Sequence, residues 1–84
     1  MSYAVSILRR AQKELGQASS PTFERLCDAI LALGSNPRPP GCRKPVNREG
    51  WRIRVGDYRV IYEVDDVART VLILHVGHRR DIYS

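Results

Sequence analysis

Three arginines, Arg52, Arg54 and Arg59, fall within the segment RIRVGDYRVIY, residues 52–62. A guanidinium keeps its proton at any pH a protein meets and presents a planar fork of donors. Such a set therefore suits the grip of a phosphate and the neutralising of charge that develops on it, but not the uptake of a proton. The segment reads as two short strands about a Gly56-Asp57 turn. With those two residues as the loop, Val55 faces Tyr58, Arg54 faces Arg59, Ile53 faces Val60 and Arg52 faces Ile61. Positions 52, 54, 59 and 61 then share one face. Like charges directly opposite each other destabilise a strand pair by about a few tenths to one kcal/mol. An anion bound between Arg54 and Arg59 would relieve that cost. The alternative without a ligand is that both side chains splay into water or stack on aromatics, or that the loop is one residue longer.

The surrounding sequence adds charge of the same sign. The chain carries a net charge of +5, and seven of its 14 cations (Arg38, Arg43, Lys44, Arg48, Arg52, Arg54 and Arg59) fall in residues 38–59 with only Glu49 and Asp57 against them. A one-sided basic surface favours RNA, DNA or an acidic protein as partner, or else is a solvated face kept for solubility. The C-terminal HVGHRRDIY brings His75, His78, Arg79, Arg80 and Tyr83 toward the same strands. A histidine among cations is favoured in its neutral form, which suits acid-base work near neutral pH. His75 lies inside an apolar strand and reads as a core histidine.

Other chemistries find little support. Cys27 and Cys42 are far apart in unlike elements, which argues against a structural zinc site with His75 and His78, and one pair makes no disulfide framework. No serine has the setting of a nucleophile elbow, Cys27 belongs to a core stripe, and no Gly-rich phosphate loop occurs. Charged residues punctuate the first twenty positions, and the longest apolar run, residues 70–76, is too short for a bilayer. A soluble cytoplasmic protein with no membrane association is expected.

The elements that must position the arginines follow from periodicity. With 84 residues the chain has room for one domain, residues 1–84, and such a domain hides only about 60 to 65% of its unfolded surface. Tyr3, Val5 and Ile7 alternate as in a half-buried strand. Leu8, Ala11, Leu15 and Ala18 then make one face of a short helix weakened by Gly16. Ser20 offers an N-cap and Pro21 the first position of a second helix, whose stripe is Phe23, Leu26, Cys27, Ile30 and Leu33 and which Gly34 closes. The Pro/Gly-rich loop of residues 35–50 separates this helical hairpin from three strands, 51–55, 58–64 and 70–76. The expected class is α+β: an antiparallel sheet of about four strands, with the helical hairpin on the face of Ile53, Val55, Tyr58, Val60, Tyr62 and Val64.

The segments NPRPPGCRKPV, WRIRVGDYRVIYEV and VGHRRDIY, in that order behind a strand and a helical hairpin, resemble the RelE group of the RelE/ParE toxin superfamily, over nearly the whole chain. The resemblance implies a β-α-α-β-β-β microbial ribonuclease-like fold. It also implies a type II toxin that enters the ribosomal A site and cleaves mRNA by attack of a ribose 2′-hydroxyl on the adjacent phosphate, without metal or other cofactor. Implied partners are a RelB-like antitoxin, in a hetero-oligomer with the toxin, and the ribosome with its mRNA.

By the same resemblance, Arg54 and Arg59 stabilise the phosphorane, Arg52 holds substrate, Arg79 serves the leaving group and Tyr83 stacks on or orients a base. Arg43, Arg48 and Arg80 fall to substrate binding. Well-known members carry lysines at the positions of Arg52 and Arg54, so the general base passes to Lys44 or His78, with Glu49 behind them. Two other functions share the resemblance or the charge: inhibition of DNA gyrase, as in ParE-like members, and a non-catalytic basic module that binds nucleic acid or an antitoxin.

Overall fold

The strand that alternation foretells at the N-terminus is β1 (Ala4–Ile7), and the chain passes from it directly into α1 (Arg9–Gly16) and α2 (Thr22–Ala32). A computed structural model describes residues 2–44 and 50–78 of the chain. Ala11 and Leu15 bury the inner face of α1, and Ala18 follows them into the core just beyond its end. In α2 the buried stripe is Leu26 and Ile30, continued by Leu33, with Cys27 packed against it at intermediate exposure. Phe23, expected in that stripe, lies at its solvent end and is 37% exposed.

Ser20 does not cap α2 as expected. Pro21 occupies the N-cap position, and the Ser20 hydroxyl donates instead to the Glu24 carboxylate in the first turn. Glu24, held below its usual range first by that bond, remains charged where helix N-termini favour negative charge. At the other end Gly34 allows a close approach: a Cβ there would stand 3.1 Å from the Tyr3 carbonyl oxygen and 3.3 Å from Val5 Cγ2, tighter than most such contacts. The Tyr3 N–H donates to the Gly34 carbonyl at 2.6 Å, so the end of α2 is tied to the start of the sheet.

The second half supplies β2 (Trp51–Val55), β3 (Tyr58–Asp65) and β4 (Thr70–His78), and the sheet order is β1-β4-β3-β2. β2 with β3 and β3 with β4 are antiparallel, whereas β1 runs parallel to β4, from Ala4 opposite Thr70 to Ile7 opposite Ile73. The sheet is therefore mixed and not wholly antiparallel. Alternation reveals which side chains face inward but not the direction of the neighbour. With the rest of the chain between β1 and β4, no tight hairpin forces them antiparallel.

The helices cover the face of Ile53, Val60 and Tyr62, all buried, with Val55, Tyr58 and Val64 partly buried beside them. Val71, Ile73 and Val76 of β4 complete this core, and Tyr62 is the largest fully buried side chain. The register of β3 and β4 shifts between Ile61, opposite His75, and Tyr62, opposite Ile73, which leaves Leu74 as an extra residue. Because of it Ile73 and Val76, three apart, both face the helices. His75 drops out of the inward phase that strict alternation would give it.

β1 ends at Ile73, where the Leu8 N–H donates to the Ile73 carbonyl, and the edge of β4 beyond that point is served by α1. The Val76 N–H donates to Glu14 Oε1 at 3.0 Å, and Arg10 Nε donates to the Leu74 carbonyl at 3.4 Å. Side chains from α1 thus occupy an edge that would otherwise offer open backbone groups.

Candidate functional site

The hairpin that carries the three arginines has the register read from its sequence: Val55 opposite Tyr58, Arg54 opposite Arg59, Ile53 opposite Val60 and Arg52 opposite Ile61. Gly56 takes a φ of +60° while Asp57 does not share the left-handed region, which suits a two-residue hairpin with glycine first. Arg54 and Arg59 are therefore true cross-strand neighbours. On β4 the same row continues to Gly77, which adds no side chain.

A fourth arginine joins from the loop. Arg43 and Arg52 exchange backbone hydrogen bonds of 2.9 and 2.8 Å, an isolated antiparallel bridge on the outer edge of β2. A pair bonded in this way projects both side chains to one face. Arg43, Arg52, Arg54 and Arg59 together line a cleft of about 350 Å³ with Pro40, Gly41 and Ile53. That is at the lower end of the range of about 300–1,000 Å³ typical of small-ligand pockets. The described lining contains four cations and no carboxylate.

Within this set Arg59 is distinctive. Its Nε is shielded from solvent and has no acceptor among the described residues. A buried donor left unmatched costs about 1–3 kcal/mol, and one next to three other guanidiniums is matched most readily by an anionic oxygen.

The proposed proton carriers are placed differently. Lys44 follows Arg43 in the chain, is exposed, and holds its Nζ 6.0 Å from the centre of the Trp51 ring. His78 pairs with Tyr58 in the register and meets it edge-on at a ring separation of 5.7 Å. That row belongs to the helix-covered side, so His78 and the arginine cleft lie on opposite faces of the sheet. His75, expected as a core histidine, has a side chain 36% exposed and stands opposite Ile61, with its Nδ1 3.7 Å from Glu14 Oε2. The extra residue Leu74 is what moves it. Arg48, Glu49, Arg79, Arg80 and Tyr83 lie outside the described residues.

The loop that delivers Arg43 is held by contacts the sequence did not advertise. The Tyr62 hydroxyl donates to the buried Pro37 carbonyl at 2.6 Å, and burial pushes its phenol well above the usual range. Arg38 forms a two-bond pair with Asp66, Nη1 to Oδ1 at 3.1 Å and Nη2 to Oδ2 at 2.8 Å, while its guanidinium carbon lies 5.2 Å from the centre of the Trp51 ring. The Tyr3 hydroxyl donates to Asp66 Oδ1 at 2.7 Å. Asp66 sits in the turn between β3 and β4, and its partners Arg38 and Tyr3 are distant in sequence. Cys27 and Cys42 are free thiols at intermediate exposure.

The family model for the ParE toxin of type II toxin-antitoxin systems matches residues 3–83. The chain is 36% identical over 89 aligned positions to the toxin RelG of Mycobacterium tuberculosis, an alignment covering 99% of this chain and 98% of that protein. Among solved structures it resembles the RelBE2 toxin-antitoxin complex of Mycobacterium tuberculosis, with 29% identity, a TM-score of 0.79, and coverage of 94% of this chain and all of that one. It also resembles the archaeal RelE-RelB complex of Pyrococcus horikoshii OT3, with 26% identity, a TM-score of 0.80, and coverage of 96% and 99%. The chain belongs to the ParE toxin family, within the RelE/ParE superfamily of type II toxins.

Proposed function

We propose that this toxin is a ribosome-dependent endoribonuclease that cuts mRNA in the A site. The observation that carries the reading is the cleft itself: four arginines converge there, two of them directly opposed across strands, and one has a buried, unmatched donor. In this reaction a ribose 2′-oxygen forms a bond to its adjacent phosphorus as the bond from phosphorus to the 5′-oxygen breaks. A cyclic phosphate and a 5′-hydroxyl result. Charge accumulates on the non-bridging oxygens in between, and preorganised cations are worth most at that point. Arg54 and Arg59 stabilise this charge, while Arg52 and Arg43 hold the adjoining backbone.

The proton of the 2′-hydroxyl needs an acceptor, and none of the four arginines can be one. His78 is on the helix-covered face, and Lys44 Nζ is held over Trp51, which shares that face through its pairing with Tyr62. Of the two, Lys44 is exposed and starts one residue from Arg43, so its four-carbon stem is the one that can swing toward the cleft when RNA binds. Arg79 at the leaving oxygen, Tyr83 against a base, and Arg48 and Arg80 along the substrate complete the proposed set.

A cognate antitoxin follows from the relatives, two of which were solved as RelB-type complexes. An acidic segment laid over the cleft would neutralise the cations that serve catalysis, and the resulting hetero-oligomer would be inactive. Action on ribosomes places the toxin in the cytoplasm; among the described residues no helix is long and apolar enough to cross a membrane.

The family model, that of ParE toxins, favours a second reading in which the same scaffold binds DNA gyrase without cutting RNA. Induced expression separates the two. Cleavage predicts growth arrest with mRNA cut inside codons, whereas gyrase binding predicts arrest with intact mRNA and stalled supercoiling.

A further inference from the structure

Arg38 and Asp66 lie outside the cleft, yet they connect the β3–β4 turn to the loop that delivers Arg43. The Asp66 carboxylate takes both terminal nitrogens of Arg38 and the Tyr3 hydroxyl, so three separate segments meet on one side chain. The Arg38 guanidinium also lies over Trp51, the first residue of β2 and the neighbour of Arg52. Arg52 in turn pairs with Arg43. The contacts thus run without a gap from Asp66 through Arg38 and Trp51 to the bridge that sets Arg43 at the cleft.

The pair contributes little to overall stability. Its side chains are 39% and 56% exposed, and solvent screens most of the attraction of an exposed ion pair. Its geometry is unusual for so exposed a pair, because a two-bond fork fixes orientation as well as distance. A loop rich in proline has few internal hydrogen bonds with which to hold its own place. We infer that Asp66, acting through Arg38, is a positioning residue for the arginine cleft, and that it holds the loop so that Arg43 stays in register with Arg52. The inference rests on the reading of the cleft as a phosphate site.

Asp66→Asn keeps the shape and removes the charge, and the test uses the full chain. Hydrogen exchange is followed at the amides of Arg43 and Arg52, whose mutual bonds report the bridge, and at Val60 and Val71 as core controls. Exchange at Arg43 and Arg52 is expected to rise about tenfold in the variant while the core amides keep their protection. In parallel, binding of a short RNA made uncleavable by a 2′-deoxy substitution is measured for the unmodified protein, Asp66→Asn, Arg43→Ala and the double variant. Asp66→Asn should weaken binding by about three- to tenfold and reduce the salt slope by about one phosphate contact. In the Arg43→Ala background the same change should have no further effect, since sites that act through one contact are not additive.

Unchanged protection at Arg43 and Arg52 would overturn the inference, as would equal losses of binding in both backgrounds. If the unmodified protein holds the oligonucleotide only in the A site of programmed ribosomes, the same four proteins are compared there. Failure to hold it in either setting would overturn the phosphate reading, and the exchange rate at Arg43 would then judge the clamp by itself.

Discussion

Arg59 combines three properties that set it apart from a solubilising cation: it faces Arg54 across the hairpin, it lines the cleft, and its Nε is buried without an acceptor among the described residues. If it stabilises the phosphorane, Arg59→Ala should lower single-turnover cleavage of ribosome-bound mRNA by about 10² to 10³, or roughly 2–4 kcal/mol. Arg59→Lys keeps the charge but not the Nε donor, so it should recover only part of that loss. Asp66 makes a different prediction. Arg38, and secondly the Tyr3 hydroxyl, hold its carboxyl down from 3.8 to about 2. A carboxylate depressed on folding stabilises the folded state fully above its unfolded value, and that contribution disappears as pH falls through the folded one. Unfolding midpoints of the unmodified protein should therefore fall slightly more steeply than those of Asp66→Asn between pH 3.8 and about 2, the difference kept small by solvent screening of so exposed a pair. Parallel curves for the two proteins would contradict the assignment.

At the scale of elements, the β2–β3 hairpin was legible in the sequence because two constraints coincide. A Gly-Asp pair suits a two-residue loop, and the alternation of Ile53, Val55, Tyr58 and Val60 fixes the inward face; the longer loop that the sequence left open is ruled out by the register, which sets Arg54 opposite Arg59. The parallel placing of β1 was not legible, since side-chain alternation is the same in either direction. Nor was the fate of His75. The run VLILHV is apolar around it, and nothing local marks Leu74 as the extra residue; the irregularity exists only in pairing with β3. The Arg43–Arg52 bridge was hidden in the same way, inside a loop whose prolines announce irregularity but not where it touches the sheet.

One junction next to the site admits a sharp test. Gly50 enters β2 with a φ of +88°, and a Cβ there would stand 2.8 Å from the Tyr62 carbonyl oxygen. Gly50→Ala combines left-handed backbone with a clash against main chain, and should destabilise the fold by about 1–3 kcal/mol. Denaturant titration would show it as a lower midpoint with an unchanged slope.

For the whole molecule, charge was the most informative quantity in the sequence, and it was informative because it is concentrated. A net charge of +5 spread evenly would say little, whereas the structure gathers Arg43, Arg52, Arg54 and Arg59 around one cleft. The helices cover the opposite face, so the fold presents its cations on a sheet surface that a polyanion can approach. The identity of the proton acceptor was not legible. The sequence offers many cations and two histidines, but Lys44 sits over Trp51 and His78 against Tyr58, both on the helix-covered face, and neither fact can be read from spacing.

The account stands or falls on the chemistry assigned to the cleft. The direct measurement is primer extension on a defined mRNA in a purified translation system, with ribosomes stalled at a known codon, in the presence and absence of the toxin. The account requires a new 5′-hydroxyl end within the A-site codon, dependent on both the ribosome and Arg59. Intact mRNA under these conditions, with purified gyrase inhibited by the same preparation, would contradict it.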